Sequence, residues 1–110
     1  MTNLIAKIFG YKVDPEVLHS YRTVIPDTLN FHWDKDEEGV FFIQITEIND
    51  KPLDKKILLV SEAKDQSGIL PAVHDLVMSY YDVPEAIRPY YEKDLVLHGN
   101  LTQNASLVKA

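Results

Sequence analysis

Four acidic residues in one short stretch raise the first chemical question. Asp34, Asp36 and Glu38 offer carboxylate oxygens at every second position and Gly39 stands sixth, which is how a calcium loop begins. Such a loop closes with a bidentate acid at its twelfth position, here Ile45, and lies between helices, whereas the flanking residues alternate like strands. The stretch therefore reads as a solvated hairpin turn. Asp34, Asp36, Glu37 and Glu38 then become candidate contacts for a basic protein partner.

The histidines raise the second question. His19, His32, His74 and His98 show no spacing that puts two of them on one helical turn, so neither a metal nor another cofactor is expected. His32 shares a strand face with Asp34, and His74 has Asp75 beside it. Either could serve as a base in an alternative reading, a small ligand-binding protein or enzyme with a histidine in a pocket between helix and sheet. No nucleophile accompanies them, and the four glycines are too dispersed to build a phosphate loop. The leading reading is thus non-enzymatic.

These residues need elements to hold them. Leu29, Phe31 and Trp33 alternate with Thr28, Asn30, His32 and Asp34, the period-two pattern of a half-buried strand. The pattern breaks at the five charged residues 34–38 and at Gly39, which can take the positive φ of a turn. A second strand follows from Val40 to Ile48, with Phe41, Ile43 and Ile45 as its apolar row. Its other row, Val40, Phe42, Gln44 and Thr46, is expected to be half exposed or to form an oligomer contact, the basis of a further alternative, an oligomeric accessory subunit. Ile57 to Val60 reads as a third strand, with Asn49 to Lys56 as its connection. A helix starting close to Gly68 carries Leu70, Val73, Val77 and Tyr80 at helical spacing, capped by Asp65 or Ser67, with Pro71 in its first turn.

The flanks are shorter signals. Asn3 to Phe9 is amphipathic, and Asp14-Pro15-Glu16 looks like a helix start, followed by Val17, Leu18 and Tyr21 on one face. Asp82-Val83-Pro84-Glu85 resembles a capping box for a turn of helix that Pro89 should end. Leu95 to Leu97 reads as the last strand, and residues 101–110 as a polar tail that frays. The fold class expected is α+β: a three- or four-stranded, mainly antiparallel sheet on one main helix, with short N-terminal helical segments, in a single domain over residues 1–100.

Composition narrows the function classes. With 17 acidic and 11 basic residues the formal net charge is -6, and the two arginines, Arg22 and Arg88, are far apart. Direct nucleic-acid binding, which needs clustered cations, is not expected. No stretch approaches the roughly 20 apolar residues of a membrane span. The absence of cysteine removes thiol chemistry and fits a reducing cytoplasm.

Strand, acidic turn with glycine, strand, strand and helix, in that order, resemble the HicB-like antitoxin domain and its short stand-alone relatives. The similarity is carried by Phe31-His32-Trp33-Asp34, Glu38-Gly39-Val40-Phe41, and Leu59-Val60-Ser61-Glu62-Ala63 leading into the helix, within roughly residues 28–81. The resemblance implies a homo-oligomer that blocks a small basic ribonuclease toxin by covering its active surface. Full-length antitoxins of this kind usually add a DNA-binding module, which cannot be built from Glu92 to Ala110. The connection Asp54-Lys55-Lys56-Ile57 also departs from the family's glycine-leucine.

Overall fold

The computed structural model of the chain describes Glu16, Tyr21 and residues 23–109. The expected helical segments at Asn3 to Phe9 and Asp14-Pro15, with Val17 and Leu18, lie outside those residues. Glu16, Tyr21, Thr23 and Val24 are helical, and the Ile25 amide donates to the Tyr21 carbonyl at 3.0 Å before Pro26 leads into the sheet.

Strands β1 (Thr28–Lys35) and β2 (Phe41–Ile48) form the expected antiparallel hairpin, with Trp33 opposite Ile43 and Lys35 opposite Phe41. Strand β3 (Lys51–Pro52) and strand β4 (Val60–Ala63) share the far edge of β2, while β6 (Asn104–Lys109) lies between β1 and β5 (Leu95–His98). The α+β class holds, but the antiparallel sheet has six strands, not three or four.

The additional strands arise from identifiable local chemistry. Asn49 and Asp50 both adopt positive φ, 52° and 63°, as a two-residue hairpin turn requires, and residues 51–52 fold straight back onto β2. The Asn49 side chain also accepts from the Asp27 and Thr28 amides, at 2.8 and 3.3 Å, which ties this turn to the start of β1. β4 begins where the expected third strand was to end. Leu58 is 69% exposed, and the pairing residues are Val60 to Ala63. Helix α1 (Ile69–Tyr80) must pack closely on this strand, since a Cβ on Gly68 would sit 3.1 Å from the Ala63 Cβ. Small Ala63 permits that approach, while Leu59 upstream packs against the core and its carbonyl accepts from the Ile45 amide at 3.0 Å.

A 3-10 turn at Gln66–Gly68 precedes α1, and Asp65 caps it, accepting from Ser67 Oγ at 2.6 Å and from the Gly68 amide at 3.1 Å. The buried stripe of α1 is Ile69, Val73, Val77 and Met78, so Tyr80, expected inside, is instead 40% exposed. The capping box at Asp82 does not form: Asp82 takes φ 54° as the chain leaves α1, and the next turn starts at Pro84 with no side-chain cap. Pro89 starts rather than ends a helix, standing in the first turn of α2 (Arg88–Glu92), where a missing amide hydrogen costs nothing. Tyr91 of α2 is fully buried.

The largest correction concerns residues 101–110. Instead of fraying, residues 104–109 occupy the interior of the sheet, with Leu107 fully buried and Ala105 nearly so. Alternation of Ala105 and Leu107 with Asn104 and Ser106 is a weak strand signal because the side chains are small or polar.

One face of the sheet carries Leu29, Phe31, Ile43, Ile45 and Leu107 into the core under α1. The even-numbered residues His32, Asp34, Phe42 and Gln44 point to the opposite face, which no described element covers. No helix among the described residues is long and apolar enough to cross a membrane.

Candidate functional site

The β1–β2 turn is stiffly built. The Asp36 carboxylate accepts the Glu38 and Val40 amides, each at 2.9 Å, and the Gly39 amide reaches the Asp36 carbonyl at 3.2 Å. Gly39 has φ 89°, a value that opposes a side chain there. Asp36 is thus spent on holding the turn, while Glu37 and Glu38 are exposed with their carboxylates facing solvent.

Asp34 stands apart from the tip, on the uncovered sheet face. Its Oδ2 lies 2.7 Å from His32 Nε2, and Gln103 Nε2 donates to its Oδ1 at 3.4 Å. The other ring nitrogen, His32 Nδ1, is 2.9 Å from Asn104 Oδ1. Two oxygen acceptors flank the ring, so the imidazolium, which donates from both nitrogens, satisfies both bonds. The hydrogen bond to Asp34, then that to Asn104, hold the His32 pKa above the ordinary value of 6.5. Because the folded-state value is raised, these bonds contribute stability fully below pH 6.5, and the contribution is lost as pH rises through the raised value. An NMR titration of the imidazole protons is expected to place His32 above 6.5, and Asp34→Asn to bring it down. A His32 titration unchanged by that substitution would contradict this pairing.

His32, Asp34, Phe42, Gln44, Val60 and Glu62 line an open groove of ≈ 480 Å³ across β1, β2 and β4. The groove beside His32 is on the face away from α1, not between helix and sheet. Filled packing of Ile69, Val73 and Val77 against Ile43 and Ile45 occupies the helix-sheet interface instead. His74, on α1, points Nε2 at the Leu95 carbonyl at 2.9 Å and joins the helix to β5. His98 is exposed on β5, and His19 lies outside the described residues. Among the described residues no cluster of three or more His, Cys, Asp or Glu could hold a metal ion.

Of the four acidic candidates, Asp36, Glu37 and Glu38 share the turn and Asp34 belongs to the groove. Glu62, Val60 and Asn104 join the site without having been expected there from sequence. Glu62 became legible only through the register that sets it opposite Phe42. Asn104 was hidden by the reading of its strand as a tail. No protein-family model matches this chain, and no curated protein or solved structure is significantly similar to it.

Proposed function

We propose that the chain is a non-enzymatic protein-binding module of the antitoxin type, acting in the cytoplasm by covering the surface of a small basic protein such as a ribonuclease toxin. The observation that carries this reading is the preorganised acidic turn, in which Asp36 and Gly39 hold the backbone while Glu37 and Glu38 face solvent. A turn fixed before binding loses little conformational freedom on contact, and its charges steer a basic partner. A general base at His32 fits poorly, because both ring nitrogens already face protein oxygens. Self-association is assigned to the outer edge of β5, which among the described residues pairs with β6 alone; the mass of the free chain in solution tests it.

The test spares the residues that build the turn. Glu37→Lys with Glu38→Lys is expected to leave thermal unfolding nearly unchanged, since exposed turn charges add little stability. Binding to a small basic protein, sought among the products of the adjoining reading frames, should weaken on the order of tenfold or more, mainly through slower association at low salt. Undiminished binding by this double variant, or no basic protein recovered with the chain from its own cells at low salt, would overturn the proposal.

A further inference from the structure

Strand register sets three side chains in one line across the uncovered face. Asp34 pairs with Phe42, and Phe42 pairs with Glu62, so a carboxylate, an aromatic ring and a second carboxylate point the same way on three adjacent strands. Neighbouring strands lie about 5 Å apart, which puts the two acidic side chains ~10 Å from one another with the ring between them. Phe42 is 45% exposed and Val60, beside it, is 51% exposed, so the groove has an apolar floor open to solvent. Among the described residues neither lysine nor arginine lines it; His32 does, paired with Asp34. Lys35, the nearest basic residue along β1, lies on the other side of the sheet with Nζ 5.5 Å from the Phe41 ring centroid. The Asp34 carboxylate is oriented by His32, and Glu62 takes part in none of the ion pairs found among the described residues.

A surface with this composition selects its occupant. A hydrophobic side chain would leave Glu62 without a charged partner, and an anion would be repelled by Glu62, since protonated His32 offsets the charge of Asp34 alone. A second copy of the chain carries a net charge of -6 and would bring the same carboxylates against these. A cation on an apolar stem satisfies every part, because its stem covers Val60, its charged plane lies over the Phe42 ring, and its N–H groups point at Asp34 and Glu62. Arginine fits best, since its guanidinium is flat, stacks on aromatic rings and presents donors at both edges.

We propose that the Asp34–Phe42–Glu62 line is an anchor for one arginine side chain of a basic protein partner. The inference rests on the antitoxin-type reading and gives it a second contact, on the strand face instead of the turn. The anchor fixes which residue of the partner docks. The turn supplies attraction at a distance.

The test is an amide NMR titration of the full chain with the capped peptide Gly-Arg-Gly-Arg-Gly, with the glutamate counterpart as control. Shifts are expected to centre on Phe42, Gln44, Val60 and Glu62 for the arginine peptide and to be absent for the glutamate one. Phe42→Ala and Glu62→Gln should each weaken the peptide about two- to fivefold, with the remaining amide spectrum that of the parent. Glu37→Lys with Glu38→Lys should leave the groove shifts in place. Shifts confined to residues 36–39, equal binding of the glutamate peptide, or undiminished affinity in Phe42→Ala would overturn the anchor. The outcomes separate the two ideas: loss of partner binding in the turn variant alone keeps the antitoxin-type reading and removes the anchor. Peptide binding at the groove with no basic protein partner does the reverse.

Discussion

A chain ended at Asn100 is expected to have no cooperative urea transition. The truncation removes β6, which contributes fully buried Leu107 to the core and pairs five residues with β1 and four with β5. Without it β5 has no neighbour in the sheet, and the inner edge of β1 opens to water. Deleting Leu107 by substitution with alanine should alone cost about 2–5 kcal/mol. Domains of this size are stable by only about 5–15 kcal/mol, so losing the strand's packing and pairing together exceeds what the fold can absorb. Circular dichroism in urea measures both variants. A truncated chain that still unfolds in a single sharp transition would show that β6 is peripheral.

The second large effect is at Phe31. It is 1% exposed on the central strand, between Ile45 of β2 and Ala105 of β6. Phe31→Ala leaves a cavity that flanking backbone, fixed by ladders on both sides, cannot close, at a cost of about 3–5 kcal/mol. Phe42→Ala is the matched control, an equal loss of atoms from the opposite face, where 45% of the residue already meets water. It should cost about 1 kcal/mol or less. The contrast in denaturation midpoints reads which side of the sheet is core. Equal losses at the two positions would mean that the face carrying the groove is covered.

The hairpin and the main helix were legible in the chain because their signals are local. Leu29, Phe31 and Trp33 declare a strand by alternation, the charged turn declares its end, and Val73 and Val77 declare a helix face. The remaining errors share a cause. Ile57 to Val60 is the more apolar run, yet the pairing falls on Val60 to Ala63, where the turn leading into α1 comes so close at Gly68 that a small residue must stand at position 63. That requirement is tertiary and leaves no mark in the strand's own composition. Asn104 to Lys109 looks like a tail for the same reason: its place is decided by two neighbours, β1 and β5, that already have the bulky side chains. Pro89 is ambiguous in sequence because a proline in the first turn of a helix and one just past an end look alike.

The site was half legible. The acidic turn and the shared face of His32 and Asp34 follow from spacing, and the row containing Phe42 and Gln44 was expected to be half exposed. The groove also needs β4 in register, which brings Glu62 opposite Phe42, and β6, which brings Asn104 to His32. Both depend on strands whose positions the sequence reading missed.

The middle position of β6 also governs how quickly the protein can form. β1 finds β2 across a short turn, but Ser106 and Asn30, which are hydrogen-bonded, are 76 residues apart along the chain. Closing so wide a loop before its contacts are made is slow, so the hairpin and α1 should assemble early and wait for the last partner. During that wait β1 presents a row of unpaired amides and carbonyls beside Leu29 and Phe31, a template on which another molecule's strand can settle. Refolding yield should therefore fall steeply with protein concentration. A short synthetic copy of residues 104–109 supplied in excess would act as a competing strand at that step.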